Sequence, residues 1–314
     1  MDILTRNSGG TQGHRQARPQ YGVIIHPESG KFLPVTDKTE LEIGFGNGEF
    51  TVQYAMSHPE ILLYGVEISQ ACVLRCARRA YGLKNLRLIN TDARYMLREL
   101  FPDESLRKII MQFPCPWSKN SDAHKRVTAK DFADGLAAVL KIGGEFVMIS
   151  DDETYSREVW SILGHHEALT AEDFTVNPQR EITTKYERKW LEEGRNIYRV
   201  SFRKSRAFTV TRRTEGEMHI KIQRSVTRED IELLRNSEGK KDKSFWKFGR
   251  SFSEPDGKIF LLETLTSDDE FEQKFYIHIA PKDDGFLLRL DKTALAFLTP
   301  AVRLALSNAA ERLS

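Results

Sequence analysis

Three acids stand at the ends of three successive apolar runs: Glu42 in TELEI, Glu67 in YGVEI and Asp92 in LINTDA. After the first run comes LEIGFGNGEF, where Gly44, Gly46 and Gly48 follow a strand-like stretch and lead into a helix-like one. Glycines at such a junction let the backbone turn sharply and let a ligand approach without Cβ interference. A tight strand-to-helix turn asks for the same residues, so the glycines alone decide nothing. Glu67 follows Gly46 by 21 residues, close to the separation at which an acid of a doubly wound sheet binds the two hydroxyls of a ribose. Asp92, one strand further on, is suited to bonding adenine or the amino group of an amino-acid tail.

The charges around the turn narrow the ligand. Glu42 precedes it and Glu49 opens the following helix, and both repel a pyrophosphate. The expected ligand is cationic or zwitterionic. S-adenosylmethionine, with its sulfonium and ammonium groups, fits; NAD fits poorly, and a dehydrogenase is the weaker reading.

The elements that must position these acids follow from periodicity. TELEI, ILLYGVEI, NLRLIN, KIIMQF and GEFVMIS read as strands, alternating with QACVLRCARRAYG, TDARYMLREL and TAKDFADGLAAVL as helices. That alternation predicts an α/β unit with a mostly parallel sheet. Thr91-Asp92 and Thr128 are placed to cap two helices, and Gly82 and Gly143 follow the last turns of two. Beyond Lys204 the texture changes to MHIKIQ, WKFGRSF, KIFLLETLT, KFYIHIA and GFLLRL, closed by TPAVRLALSNAAERL. We expect a basic flexible arm over 1–34, an α/β domain over 35–204 and a smaller antiparallel α+β domain over 205–314, with EGKKDKS near Lys240 as a mobile loop.

With 314 residues and 40% hydrophobic content the chain can bury a full core, and the formal net charge of +2 argues against a surface that grips nucleic acid everywhere. The start has no apolar h-region and no apolar run is long enough to span a bilayer, so a cytosolic protein is expected. Cys72, Cys76 and Cys115 are too few for a disulfide framework, which fits a reducing compartment. Cys72 and Cys76 lack further ligands at metal spacing and are expected to be core thiols, with no metal. The arm carries Arg6, His14, Arg15, Arg18 and Lys31 against Asp2 and Glu28: a solvated tail, or an arm that orders on a polyanion.

Six motifs carry a family likeness: EIGFGNGEF (42–50), YGVEI (64–68), TDA (91–93), FPCPW (113–117) with HKRVT (124–128), SDDETY (150–155) and TTKYE (183–187). On these the chain resembles the bacterial tRNA (guanine-N7)-methyltransferases over roughly residues 20 to 204. The resemblance implies a Rossmann-like class I methyltransferase sheet with an antiparallel last strand, for which RNIYRVSFRK (195–204) is suited. It implies methyl transfer from S-adenosylmethionine to N7 of a tRNA guanine, guanine 46 of the variable loop. Cofactor contacts are then expected at Glu42, Gly44, Gly46, Glu67, Asp92 and Cys115, and tRNA or guanine contacts at Lys119, Asp151, Thr184, Lys185, Tyr186 and Glu187. Catalytic roles would fall to Cys115, Asp122 and Asp151.

The implied chemistry is consistent with the residue types. Guanine displays N1–H and N2–H₂ donors, which carboxylates such as Asp151 and Glu187 accept. Asp151-Asp152 equally suits a helix N-cap, and both roles can hold together. N7 carries a lone pair and no proton, so no general base is needed and the task is alignment and desolvation. A carboxylate nearby would stabilise the positive charge that the purine gains, and a base within folded tRNA has to be drawn out first.

The loop FPCPWSKNSDAHKR departs from the family pattern, which has an acid where Cys115 stands. A neutral thiol is a weak hydrogen-bonding group and supplies no charge. The usually basic positions that follow are here Ser121 and Asp122. Three explanations compete: the acid is dispensable, Asp122 folds back to replace it, or the protein binds tRNA with little turnover. The last is the alternative function, a catalytically weak tRNA-binding protein. Trp117 suits stacking on a base or anchoring the loop. In the C-terminal domain, Lys240, Lys241, Lys243, Trp246, Lys247, Phe248 and Arg250 read either as an RNA-contacting strand or as a solvated hairpin with both aromatics in the core.

Substituting Cys115→Asp is expected to leave methyl transfer similar or higher; a collapse of the measured rate would assign the thiol itself a role.

Overall fold

A computed structural model describes residues 23–117, 120–291, 293 and 295–314. It divides into two units, one of residues 23–26 and 33–210, the other of residues 27–32 and 211–314. Among the described residues no helix is long and apolar enough to cross a membrane.

The first unit is built on a seven-stranded sheet in the order β3-β2-β1-β4-β5-β7-β6. Its strands are β1 Thr39–Ile43, β2 Leu62–Glu67, β3 Leu86–Asn90, β4 Leu106–Gln112, β5 Leu140–Ser150, β6 Leu169–Val176 and β7 Tyr198–Lys204. β1 to β5 pair in parallel, and β7 runs antiparallel to both β5 and β6. Helices α1 Glu49–Ser57, α2 Gln70–Arg79, α3 Ala93–Leu100, α4 Lys130–Val139, α5 Glu153–Gly164 and α6 Lys185–Glu192 connect them. The expected Rossmann-like sheet with its antiparallel RNIYRVSFRK strand is therefore present. At the centre β1 is buried along its whole length although it carries Glu40 and Glu42, and its neighbours β4 and β5 end in the buried runs IIMQ and FVMIS.

The second unit is a six-stranded antiparallel sheet, order β8-β13-β12-β11-β10-β9. Its strands are β8 His219–Ile222, β9 Glu238–Lys241, β10 Ser244–Ser253, β11 Phe260–Asp268, β12 Phe271–Lys282 and β13 Gly285–Leu290, with helices α7 Arg228–Leu234 and α8 Pro300–Leu313. Strand residues such as Phe248, Leu262, Ile277 and Leu288 share one core with Ile231 and Leu234 of α7 and Val302, Leu306 and Leu313 of α8. Both helices thus lie on the same face of the sheet.

Several expectations are corrected. The arm is not free through residue 34: the Ile25 N–H donates to the Leu88 carbonyl and the Leu88 N–H to the Val23 carbonyl, and Val23 and Leu33 are buried, because apolar side chains there find places in the core. Residues 1–22, with most of the basic positions of the arm, lie outside the described residues. EGKKDKS is a hairpin, β9 and β10 joined at Asp242 in a left-handed conformation (φ 52°), a turn that aspartate tolerates. Thr128 does not cap α4, whose N-cap is Ala129 without a side-chain bond; its hydroxyl instead donates to Glu158 at 2.9 Å. Cys76 is buried as expected, while Cys72 is only half-buried.

Trp246 and Phe248 are core residues, their rings 4.6 Å apart, with the Arg312 guanidinium 5.6 Å above Trp246. Trp246→Ala is expected to destabilise the second unit by roughly 3–5 kcal/mol, read from urea unfolding followed by circular dichroism; a loss within about 0.5 kcal/mol would contradict the packing.

Candidate active site

The glycine turn after β1 has Gly44, Gly46 and Gly48 at φ 73°, 53° and 72°, in the left-handed region that favours glycine. The three serve different ends. A Cβ at Gly48 would lie 2.1 Å from the Cys76 sulfur, so that glycine allows α2 to pack against the turn. A Cβ at Gly44 or Gly46 would meet nothing within 4 Å, which leaves that side of the backbone open to a ligand.

The carboxyl edge of the sheet carries a cavity of about 560 Å³ beside this turn, inside the roughly 300–1,000 Å³ typical of small-molecule sites. Gly44, Glu67, Asp92 and Cys115, four of the six expected cofactor positions, line it together with Trp117 and Tyr155. Glu67 also braces the turn: its carboxylate accepts the Gly46 N–H at 3.0 Å and the Ser69 N–H at 2.9 Å. Asp92 caps α3 by accepting the Arg94 N–H at 2.9 Å and forms an ion pair with the Arg94 side chain.

Glu42 is placed differently. It is 2% exposed and lies beneath the turn, outside the lining of the cavity. Its carboxyl accepts the Thr51 hydroxyl at 2.7 Å and the Gln112 amide at 3.2 Å. The other end of Gln112 accepts from Arg180, and Arg180 is also paired with Glu187. Glu187 in turn completes the capping box that starts α6, exchanging bonds with Thr184. Burial pushes the Glu42 carboxyl up to about 7, against the opposing pull of its hydrogen bonds and of Arg180.

The expected substrate positions lie along the same edge. Asp151 follows β5 and stands 3.5 Å from an Arg195 guanidinium, while Asp152 is the N-cap of α5. The Lys185 backbone N–H donates to Glu49 of α1 at 3.1 Å, which ties the TTKYE segment to the first turn after the glycines. Lys119 and the side chains of Asp122 and Tyr186 lie outside the described residues. Sequence reading missed Thr51, Gln112 and Arg180. The signal for them was indirect: an acid inside an apolar strand has to find donors, wherever they come from.

The FPCPW loop enters at Phe113 and leaves at Trp117 through two left-handed residues, φ 49° and 47°. Phe113 packs edge-on against Trp190 at 4.8 Å, and Arg126 donates to the Trp117 carbonyl at 2.7 Å while pairing with Glu158. Trp117 is 37% exposed with the Lys125 ammonium 5.0 Å from its ring, so it is not a buried anchor. Cys115 is exposed at the cavity.

Residues 36–200 match a family model described as "Putative methyltransferase". The tRNA (guanine-N(7)-)-methyltransferase of Thermotoga maritima is 35% identical over 88% of this chain and 90% of its own length. That of Aquifex aeolicus is 30% identical over 88% and 94%. The chain belongs to the tRNA (guanine-N7)-methyltransferase family. Both relatives extend across the second unit as well as the first, since 88% of the chain is covered. Among solved structures, the 16S rRNA methyltransferase KamB is similar over 59% of this chain and 99% of its own, at a TM-score of 0.43 and 14% identity.

For this methyltransferase the cavity fits a zwitterionic cosubstrate: the glycine turn is open, and its wall carries both acids, Glu67 and Asp92, and cations, Arg94 and Lys125. The buried Glu42 gives a pH test. Below its ordinary value near 4.5 the carboxyl is neutral in folded and unfolded chains alike; as pH rises toward 7 the unfolded chain ionises first. Stability is therefore lost across that window, by about 3 kcal/mol, and levels off above it. Glu42→Gln, neutral throughout, is expected to remove this part of the slope in urea unfolding measured from pH 4.5 to 8; an unchanged slope would refute the assignment.

Proposed function

We propose that the protein transfers the methyl group of S-adenosylmethionine to N7 of guanine 46 in the variable loop of tRNA, in the cytoplasm. The observation that carries this is the convergence of Gly44, Glu67, Asp92 and Cys115 on one cavity in a chain of this family. S-adenosylmethionine, when bound, supplies an electrophilic methyl on a sulfonium. Glu67 and the open face of Gly44 and Gly46 would hold its adenosine end, with Asp92 toward adenine or the amino group. Glu42 supports this from beneath, holding the turn rather than touching the ligand.

Guanine N7 attacks with its own lone pair, so the protein has no proton to remove at that atom. Its residues orient the base and keep water out. Asp151, still partly open to solvent, would accept from the Watson–Crick edge of guanine, with Thr184, Lys185, Tyr186 and Lys119 around the base and its phosphates. Glu187, 1% exposed, would act through the capping box that fixes this segment. Cys115 lines the cavity, where its small side chain would leave the path between cosubstrate and base unobstructed. Asp122 would supply the charge that Cys115 lacks.

Labelled methyl transfer to an unmodified tRNA transcript, with the product nucleoside identified by mass and the position by primer extension, tests the reading. 7-Methylguanosine at position 46, abolished by Glu67→Ala, is expected. Binding of tRNA without transfer would favour the weakly catalytic alternative, and methylation elsewhere would refute the position.

A further inference from the structure

The Cys115 loop has an unfavourable backbone shape at both ends. Phe113 and Trp117 sit at φ 49° and 47°, in the left-handed region that bulky residues avoid. Such a conformation persists only where the surroundings enforce it. At Phe113 the N–H donates to the Ile149 carbonyl of β5 at 2.7 Å and the ring packs on Trp190. At Trp117 the hold comes from Arg126, whose Nε and Nη2 groups donate to the Trp117 carbonyl at 3.1 and 2.7 Å.

A guanidinium is planar, so fixing one of its edges orients the other. Here the second edge is taken by Glu158 of α5. Arg126 Nη1 donates to both carboxylate oxygens at 3.1 and 3.0 Å, and the Thr128 hydroxyl donates to the same carboxylate at 2.9 Å. Three residues before Glu158, and therefore on the same side of the helix, the Tyr155 hydroxyl accepts the Val127 N–H at 3.1 Å. Arg126, Val127 and Thr128 are thus all fastened to one face of α5. Tyr155 lines the cavity together with Cys115 and Trp117, whereas Glu158 is not part of its lining. The same helix starts directly after Asp151, with Asp152 as its N-cap. One helix therefore carries Asp151 at its start and, one turn further on, governs the loop of Cys115.

We propose that Glu158 is a positioning residue for methyl transfer. It contacts neither cosubstrate nor base; it orients Arg126, which keeps Trp117 left-handed and so keeps Pro114 and Cys115 on the cavity wall. The proposal rests on the reading of that cavity as the S-adenosylmethionine site. It also sets Arg126 apart from the cations beside it in the chain, since its side chain is only 14% exposed and its guanidinium is engaged within the protein rather than by phosphate.

The test uses the full chain, with S-adenosylmethionine affinity from equilibrium dialysis and steady-state methyl transfer to a tRNA transcript. Glu158→Ala is expected to lower kcat about tenfold and to weaken S-adenosylmethionine binding about threefold, with KM for tRNA within about twofold of wild type. Glu158→Gln, which keeps an acceptor for Arg126, should recover most of both losses. Arg126→Lys should do as much damage as Glu158→Ala, because a single ammonium does not hold a carbonyl and a carboxylate in one plane. The deciding background is Trp117→Gly: glycine takes a positive φ unaided, so there Glu158→Ala should cost less than about twofold in either quantity.

Wild-type kcat and affinity in Glu158→Ala would overturn the proposal, as would an equal cost of that substitution with tryptophan or glycine at 117. A lower melting temperature with kcat and affinity unchanged would make Glu158 a support of the fold alone, which also overturns it. Tighter tRNA binding with unchanged kcat would replace it with simple repulsion of phosphate by the carboxylate. Loss of methyl transfer in the wild type would count against the proposed reaction, while the affinity measurements in the two backgrounds would still decide the role of Glu158; no S-adenosylmethionine binding by the wild type would overturn both.

Discussion

A carboxyl group that cannot reach water organises the catalytic end of this fold. Glu42 is sealed beneath the glycine turn, and a buried acid is tolerated only when its oxygens are bonded. Thr51 and Gln112 meet that requirement, and in doing so they bind the start of α1 and the end of β4 to the end of β1. Gln112 passes the constraint on to Arg180, and Arg180 to Glu187 at the start of α6. Segments far apart in the chain are thereby held at one edge of the sheet by a single string of polar contacts. Deleting one member would strand the next, which is why such networks are costly when incomplete.

This arrangement separates holding from touching. Glu42 and Glu187 are the supports, while Glu67, Asp92 and Cys115 face the cavity. Glu67 stands between the two roles, since it both braces Gly46 and lines the cavity wall. The loop at Cys115 is fixed from outside, by Phe113 against Trp190 and by Arg126 on the Trp117 carbonyl. Its shape therefore depends little on the side chain at position 115, and a thiol can stand where relatives of the resembled pattern have an acid without the loop losing its course.

Much of this was readable before any coordinates. The parallel strands, the helices between them and the acids at the strand ends follow from periodicity and spacing, because short apolar runs alternate with amphipathic segments and a turn must be glycine-rich. β6 escaped notice: LTAEDFTV lies at the sheet's edge and mixes polar with apolar residues, so neither pattern emerges. The hairpin at Glu238–Lys241 looked mobile because its charges are exposed; Gly239, lying under Trp246, is the contact that composition could not reveal. Arg180 was invisible for a different reason, as its partners Gln112 and Glu187 come from two other segments. On the second sheet, alternation could distinguish two faces but not say which one the helices cover, so Trp246 and Phe248 could be read both ways.

The short segment Pro27–Phe32 belongs to the second unit although the residues on either side of it belong to the first. The Ser29 hydroxyl donates to the Glu215 carbonyl at 2.6 Å and accepts the Leu298 N–H at 2.7 Å, and the left-handed Gly30 passes so close to Glu215 that no larger residue fits. The polypeptide thus crosses from one unit to the other three times, and neither unit is an unbroken piece of sequence. A protease cutting once near residue 210 would leave two fragments still stitched through Ser29, and a gene truncated there would encode a first unit with an orphaned thread.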